Sequence, residues 1–383
     1  MRTVILRRRL LDLFIYAALL TALAALVMYP QDITKAAREG LYMCGNVIIP
    51  SLFPFFILSA LIVETGFARQ LEKLFEPVMR PLFNVGGGCA AAFALGFIGG
   101  YPVGAKTVIS LYENGECTKT EAERLLSFCN NSGPAFIFGV VGAGVFSSSK
   151  IGLLLYLAHS AASVIVGMLF RNWGGRRGGI TATRNTKRRP SAFSAAFTNS
   201  VKSSTLSMVN ICGFVIFFTV FIRLLFLSGI IPGIAGIAGT VLSRFGFDSA
   251  WAERLLTGII ELTSGVWSLN AAAPQITGSV AMAAFMLGWA GISVHFQVLS
   301  FIGTSGLSVK TYLLGKFLQG VISAALVLFL FRLFFSQVQT AALMAEQVSS
   351  FANVGFLKAG AISLAGALIM LTLFYIGTRV RKS

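Results

Sequence analysis

The sequence predicts an all-α polytopic membrane protein with two inverted-topology repeats, which contain broken or re-entrant helices, and one flanking transmembrane helix at each end. This prediction depends on composition, on the distribution of apolar stretches and basic clusters, and on a similarity between the two halves. Of the 383 residues, 56% are hydrophobic and 12% are charged, whereas soluble proteins have about 45–50% and about 25%. So little polar surface cannot cover a water-facing exterior, and we expect lipid as the solvent.

Six apolar stretches are long enough to span a bilayer, since a spanning helix needs about 20 mostly apolar residues. They are 10–29, 47–64, 151–170, 208–228, 312–335 and 356–376. Gly, Pro and polar residues interrupt four others, which are 85–104, 121–146, 255–274 and 280–305. Non-helical backbone at membrane depth must be buried in protein or line a cavity, because lipid cannot satisfy its polar groups. The interrupted stretches are therefore where we expect a binding site.

The first apolar stretch follows four arginines within the first nine residues. This pattern fits either a signal peptide or a first spanning helix. The sequence Tyr29-Pro30-Gln31 that follows lacks the small residues of a cleavage site. We therefore expect an uncleaved anchor.

Basic residues cluster beside predicted helix ends at the N-terminus, between residues 171 and 189, and in the C-terminal tail. These clusters hold 14 of the 31 Lys and Arg residues in a chain of net charge +17. Basic residues in short loops mark the cytoplasmic side of a membrane, so we expect all three clusters to face the cytoplasm. They lack interleaved aromatic residues, and we expect the lipid bilayer, and no nucleic acid, as a partner.

The two halves of the chain resemble one another. At an offset of 160 residues, Lys150, His159 and Ser163 fall on Lys310, Gln319 and Ser323, and at an offset of 162 Gly96 falls on Gly258. The predicted segments are 1–39 (basic segment and first transmembrane helix), 40–171 (repeat one), 172–202 (basic cytoplasmic linker), 203–335 (repeat two) and 336–383 (last transmembrane helix and basic tail). Chance similarity between the halves of a structural membrane protein is the alternative.

The predicted topology makes the two repeats inverted. Repeat one begins outside, because the first helix leaves the cytoplasm, and it ends inside at the middle basic cluster. Repeat two begins inside and must end outside, since the last helix returns to a cytoplasmic tail. Inverted repeats are typical of secondary transporters, whose substrate site lies near the midplane at the repeat interface among broken helices.

The segment 99–106, with the sequence GGYPVGAK, breaks an apolar helix with two glycines and a proline. A lone ammonium at this depth is costly. We expect the tip of a re-entrant hairpin here. The segment does not match the phosphate-loop pattern, in which GxxxxGK precedes Ser or Thr, so nucleotide hydrolysis is not predicted. Its candidate substrate-binding residues are Gly100, Tyr101, Pro102 and Lys106.

The counterpart in repeat two is the segment 261–265, with the sequence ELTSG. Glu261 is the one carboxylate in a strongly apolar segment, and an intramembrane acid is a functional candidate. The alternative is a structural partner of a basic residue such as Arg223, which itself either pairs with an acid or attracts an anion. The candidate residues added here are Glu261, Ser264 and Arg223.

A second break, 130–134 with the sequence NNSGP, follows a helix predicted over 120–129. Pro134 suits the start of the next helix, and the polar side chains before it can cap its exposed amides. A helix N-terminus directed into a cavity favours an anionic ligand, and 289–293 is the equivalent region of repeat two. The two breaks predict a site for a planar, polar solute that bears a carboxylate. Their candidate residues are Asn130, Asn131, Ser132 and Ser293.

Other polar residues have weaker interpretations. His159 is either a hydrogen-bonded packing histidine or a group that titrates with substrate. Lys310 and Lys316 are expected to extend toward the membrane interface or to line a vestibule. No HExxH or GxSxG motif and no pair of intramembrane carboxylates occurs, so we predict no catalytic residue and no enzyme. The five scattered cysteines lack metal-site spacing, and neither metal nor cofactor is predicted.

Four motifs between residues 40 and 335 carry a family resemblance. They are IIPSLFPFF (48–56), FEPVMRPLF (75–83), GGYPVGAK (99–106) and CNNSGPAF (129–136). They resemble the sporulation integral membrane protein family of the YlbJ type, which contains nucleoside-recognition (Gate) domains. The resemblance implies a polytopic protein needed late in sporulation, in the outer forespore membrane that the mother cell supplies, and linked to the movement of dipicolinate into the spore.

Three hypotheses for the function follow. The first is a carrier of a small organic anion, with dipicolinate as cargo on the resemblance alone and with an undetermined coupling ion. The second is a nucleoside or nucleobase carrier. The third is a membrane scaffold or receptor that recruits spore-assembly partners through the basic linker.

Overall fold

The computed structural model describes residues 2–65, 68–175, 193–243, 248–271, 276–303 and 305–335. In these ranges the chain forms fifteen α-helices, numbered here in chain order. Their bounds are α1 Arg2–Met28, α2 Pro30–Met43, α3 Ile49–Glu64, α4 Ala68–Phe83, α5 Ala90–Ile98, α6 Val103–Glu113, α7 Lys119–Phe128, α8 Ser149–Phe170, α9 Phe193–Leu227, α10 Ile230–Leu242, α11 Ser249–Ile260, α12 Leu262–Trp267, α13 Ile276–Trp289, α14 Gly291–Ile302 and α15 Val309–Phe335.

Two segments of the described chain widen into π-helix. Cys44–Ile48 joins α2 to α3, and Ala135–Val145 lies between α7 and α8. Short 3-10 turns, Gly87–Cys89 and Ser268–Ala271, precede α5 and follow α12. π-Helical turns are rare and often occur at functional sites. The longer π-helical segment directly follows the second predicted break.

The helices account for several membrane spans. Within the described ranges, four are long and apolar enough to cross a membrane, namely Ser149–Phe170, Phe193–Leu227, Ile276–Ile302 and Val309–Leu333. Two bent pairs, Ile15–Met28 with Pro30–Ile48 and Pro77–Phe83 with Gly87–Ile98, turn by 97° and 95° and raise the number to six if each pair is one span. The predicted all-α polytopic fold class is confirmed. The span predicted over 356–376 lies outside the described residues.

The order of elements repeats along the chain. A pair of helices that fold back on each other comes first, formed by α5 with α6 and later by α11 with α12. A broken helix follows, formed by α7 with the π-helical segment and later by α13 with α14, and a long helix, α8 or α15, completes each series. This order agrees with two repeats that contain broken helices. The predicted segment boundaries stay predictions.

Helix α15 is the central element of the described fold, because it packs along α7, α8 and α13. A Cβ atom on Gly288 of α13 would lie 2.5 Å from Cα of Gly320 in α15. A Cβ atom on Gly315 would lie 2.4 Å from the carbonyl oxygen of Ser127 in α7. Small residues permit such close approach of helices in membranes. Helix α15 therefore joins the second series of elements to the first.

Candidate substrate site

The first hairpin, α5 with α6, folds back because glycines let its two arms touch. A Cβ atom on Gly104 of α6 would lie 3.0 Å from Cα of Gly96 in α5. Both glycines also face the carbonyl oxygen of Cys129. A Cβ atom added to Gly96 would lie 1.8 Å from this oxygen, and one added to Gly104 would lie 1.9 Å from it. The tip of this hairpin, residues 99–102, is thereby held against the end of α7.

The tip of the first hairpin crosses the first broken helix. Gly100 has a φ of +74°, and a Cβ atom there would lie 3.1 Å from the backbone nitrogen of Gly133. A positive φ and this close approach both favour glycine. The two breaks predicted in repeat one therefore meet at one crossing.

The second hairpin, α11 with α12, forms an equivalent crossing. Glu261 is extended, with φ −139° and ψ 120°, and separates the two helices. Ala290 and Gly291, both with φ +79°, break the next helix between α13 and α14. A Cβ atom on Gly291 would lie 2.9 Å from the backbone nitrogen of Leu262. The tip of this hairpin thus crosses its own broken helix, as in the first repeat.

A pocket lies between the two crossings. All four breaks contribute to its wall, together with α3, α9 and the π-helical segments. Its lining residues are Ile48, Leu52, Gly100, Tyr101, Ser132, Gly133, Phe136, Ile211, Val215, Glu261, Leu262, Thr263, Ser293, Val294 and Gln297. The wall is therefore mostly apolar, with polar groups at the breaks, as is usual for small-molecule sites.

Glu261 supplies the charge in this wall. Its side chain is 1% exposed, and its two carboxylate oxygens accept hydrogen bonds from the amides of Thr263, at 2.9 Å, and Ser264, at 2.6 Å. The carboxylate therefore caps α12 and faces the pocket. In the described part of the chain, no basic side chain pairs with it. The interpretation of Glu261 as the partner of Arg223 is wrong.

Two buried hydroxyl groups in the pocket wall are available to a solute. Ser132 is 2% exposed and Ser293 is 1% exposed. Neither hydroxyl has a hydrogen-bond partner among the described residues. Because an unpartnered buried polar group is unfavourable, these two side chains are suited to bind a polar ligand from opposite repeats.

A buried lysine lies behind the first hairpin tip. The ammonium of Lys316 in α15 donates hydrogen bonds to Tyr101 Oη at 2.9 Å, to the Asn130 carbonyl at 2.7 Å and to Gln319 Oε1 at 2.6 Å. Tyr101 Oη in turn donates to the carbonyl of Leu287 in α13 at 2.6 Å. These bonds connect the first hairpin and the first broken helix to the second repeat.

The network continues through an amide and a histidine. Gln319 Nε2 donates to Asn131 Oδ1 at 2.7 Å, and the amide of Ser132 donates to His159 Nε2 at 3.1 Å. His159 is therefore a hydrogen-bonded packing residue in this structure, the first of its two predicted interpretations. The nitrogens His159 Nε2 and Gln319 Nε2 lie 3.4 Å apart. These two residues, which occupy equivalent positions in the two repeats, are therefore in contact.

The structure brings most of the predicted site residues together. Gly100, Tyr101, Ser132, Glu261 and Ser293 line the pocket. Pro102 follows Tyr101 in the hairpin tip, and Ser264 donates its amide to Glu261. Asn130 and Asn131 belong to the buried network beside the pocket.

Two predicted residues lie elsewhere. The exposed ammonium of Lys106 donates to Ser207 Oγ of α9 at 3.4 Å. Arg223 forms an ion pair with Asp32 of α2, so it takes the first of its two predicted roles, pairing with an acid. Neither basic side chain lines the pocket. The two basic residues that the sequence analysis assigned to an anion-binding site are therefore not in the pocket.

Two further expectations are wrong. No side chain caps the helical segment Ala135–Val145, because Asn130 Oδ1 accepts from the amide of Ala105 at 3.4 Å and Asn131 Nδ2 donates to the carbonyl of Phe128 at 2.8 Å. Lys316 does not extend to an interface, because its side chain is completely buried. A charged residue within the apolar stretch 312–335 marks Lys316 as unusual, but it does not show which groups surround the ammonium.

Solved structures of a nucleoside transporter share this fold. Two variants of CNTnw in an outward-facing state align with TM-scores of 0.50 at 14% identity, over 83% and 85% of this chain and 85% and 86% of theirs. A third variant, in an intermediate state, aligns with a TM-score of 0.51 at 14% identity, over 84% of this chain and 86% of that one. The protein is thus a multi-pass membrane protein with the fold of concentrative nucleoside transporters.

Sequence comparisons give the family. A family model described as nucleoside recognition (Gate) matches residues 47–206. The sporulation integral membrane protein YlbJ of Bacillus subtilis (strain 168) is 32% identical over 326 residues, which cover 81% of this chain and 80% of that protein. The chain belongs to the YlbJ family of sporulation integral membrane proteins.

Proposed function

We propose that the protein is a transporter that binds a small polar organic solute in the pocket between the two crossings. The observation that carries this proposal is that four helix breaks, two from each series of elements, border one pocket. Transporters with inverted repeats place their substrates among such broken helices and expose them to one side of the membrane at a time. The fold of concentrative nucleoside transporters supports the same class of function.

The proposed substrate is a small organic anion, with dipicolinate as the first candidate. The family resemblance and the sporulation name of the relative support this choice. Phe136 and Val294 offer apolar surface to an aromatic ring, and the hydroxyls of Ser132 and Ser293 offer hydrogen bonds to carboxylates. Glu261 imposes a condition, because a dianion beside a buried carboxylate is unfavourable. We therefore propose that the anion moves together with a proton or metal cation that neutralises Glu261.

A nucleoside or nucleobase is the second candidate, and the same carboxylate favours it. A carboxylate has about four acceptor positions, of which two receive the amides of Thr263 and Ser264. The others suit the hydroxyl or amino donors of an uncharged solute. The nucleoside-recognition description of the family model agrees with this alternative.

Uptake into liposomes tests both candidates. Purified protein would be reconstituted and supplied with labelled dipicolinate or labelled uridine, under a proton gradient and separately under a sodium gradient. We expect uptake of dipicolinate faster than in empty liposomes. Faster uptake of uridine alone would replace the first candidate by the second. Uptake of neither solute under either gradient would contradict the proposed function.

Serine variants locate the binding site in the same assay. We expect Ser132→Ala and Ser293→Ala each to raise the KM about 5-fold, because each removes one hydrogen bond worth about 1 kcal/mol. Ser323→Ala is the matched control, since this buried hydroxyl also lacks a described partner but does not line the pocket. Equal changes in KM for all three substitutions would show that the substrate does not bind in this pocket.

The proposed location is the outer forespore membrane, on the basis of the family resemblance. A fluorescent fusion followed through sporulation would test it, with signal expected around the forespore from the mother-cell side. Deletion of 172–190 tests the scaffold hypothesis in the same cells. We expect transport to persist without this segment, whereas a recruiting scaffold would lose its function.

A further inference from the structure

Lys316 has the geometry of a fully coordinated ammonium ion. Its side chain is completely buried, and Nζ lies 2.9, 2.7 and 2.6 Å from three oxygen atoms. All three oxygens accept. The carbonyl oxygens of Asn130 and Gln319 carry no hydrogen, and Tyr101 Oη donates its own hydrogen to the carbonyl of Leu287. A lysine ammonium has three donors and no acceptor, so three acceptors match its charged form. The distances are those of charge-assisted hydrogen bonds.

The three acceptors belong to separate elements. They are the hydroxyl of Tyr101 at the first hairpin tip, the carbonyl of Asn130 in the first broken helix and the side chain of Gln319 in α15. The ammonium also lies 4.9 Å from the centre of the Tyr101 ring, which adds a cation–π attraction. A single cation therefore joins three elements at one point.

No carboxylate among the described residues neutralises this charge. The ion pair of Arg223 with Asp32 is in another region, between α9 and α2. A buried ammonium without an ionic partner is costly, and it is stable only where surrounding dipoles replace its hydration. The cluster of oxygens around Lys316 fulfils this requirement.

We propose that Lys316 is a tethered cation, whose ammonium fills an oxygen-lined cation position between the two repeats and holds the first hairpin tip to α15. In this role it takes the place of a free monovalent cation at the first crossing. Lys316 is a positioning residue, since it reaches the pocket only through Tyr101. Its effect on transport rests on the proposed function, but its effect on stability does not.

Removal of the side chain should create a site for a free cation. In Lys316→Ala the oxygens of Tyr101, Asn130 and Gln319 lose their donor, and the lost side-chain volume gives room for methylammonium. We expect the melting temperature of this variant in detergent to fall by several degrees and to recover as methylammonium chloride is added. Tetramethylammonium chloride, which has no N–H donor, controls for ionic strength and should not restore it.

Two further variants make the result specific. Lys316→Met fills the space with an uncharged side chain, so we expect a lower melting temperature that methylammonium does not change. Lys310→Ala, at an exposed lysine on the same helix, is the matched control and should respond to neither salt. If methylammonium raised the melting temperature of all variants alike, or of none, the proposal that Lys316 is a tethered cation would be wrong.

A variant that fails to fold still decides the question. If Lys316→Ala cannot be purified without methylammonium, we expect folded protein when the salt is present throughout expression and purification. Equal failure with and without the salt would contradict the proposal.

The transport assay gives a second, separate result. We expect Lys316→Ala to take up substrate at least about 10-fold more slowly than wild type and to recover in part with methylammonium. If the wild type transports no solute, the proposed function fails, while the melting temperatures still decide whether Lys316 occupies a cation position.

Discussion

The two hairpins of the fold hold their tips in different ways. In the first hairpin, Tyr101 bonds to Leu287 and Lys316, which both belong to the second repeat. In the second hairpin, Glu261 bonds to the amides of its own next turn, at Thr263 and Ser264. The first tip is therefore bonded through Tyr101 to distant helices, whereas the side chain of Glu261 in the second tip is bonded within its own hairpin.

The glycines at the equivalent positions 96 and 258 also have different neighbours. A Cβ atom on Gly96 would meet the backbone of Cys129, whereas a Cβ atom on Gly258 would meet the side chain of Met286, at 2.4 Å from its methyl carbon. Backbone cannot move aside cheaply, but a methionine side chain adapts to its surroundings. We therefore expect the first hairpin to tolerate less added volume at Gly96 than the second hairpin does at Gly258.

The largest expected effect tests this difference in packing. Gly96→Ala places a methyl group 1.8 Å from the carbonyl oxygen of Cys129, and overpacking of this kind costs about 3 kcal/mol. Gly258→Ala, at the equivalent position, should cost less, about 1 kcal/mol, because its new methyl group meets the side chain of Met286 and not backbone. Thermal unfolding in detergent measures both. Similar losses for the two variants would contradict the difference in packing between the two hairpins.

The breaks of the fold could be predicted because their signals are local. Two glycines and a proline at 99–102, the sequence NNSGP at 130–134 and the isolated Glu261 all interrupt apolar stretches. Such interruptions are visible without tertiary information, because non-helical backbone needs a polar or protein environment wherever it lies. The observed pocket, to whose wall all three of these interruptions contribute, agrees with that expectation.

The identity of the central cation could not be predicted in the same way. The sequence favoured Lys106, which follows the Gly-rich tip, over Lys316. The exposure of Lys106 and the burial of Lys316 both depend on how α15 packs against α7, α8 and α13, and this packing has no local signature. Arg223 was misplaced for the same reason, since its partner Asp32 lies 191 positions away in the sequence.

A smaller effect tests the local closure of the second tip. Glu261→Gln keeps the size of the side chain but turns an amino group toward one of the two amides, so one hydrogen bond is lost. We expect the free energy of unfolding to fall by about 1 kcal/mol. Uptake should fall about 10-fold, because Gln cannot take up the proton or cation proposed to move with the anion. Glu253→Gln, on α11 of the same hairpin and outside the pocket wall, is the control. Unchanged uptake by Glu261→Gln would show that this carboxylate does not serve the site.

The smallest expected effect concerns Lys106 in the first hairpin. Its ammonium is exposed and lies 3.4 Å from Ser207 Oγ, near the outer limit of a hydrogen bond. We expect Lys106→Met to change uptake by less than about twofold, whereas Lys316→Ala, which removes the cation from the same hairpin's tip, should slow uptake at least about 10-fold. Uptake at equal protein abundance measures both. If Lys106→Met slowed uptake as much as Lys316→Ala, the face between α6 and α9 would belong to the transport pathway. The first hairpin would then act through its exposed arm as well as through its fixed tip.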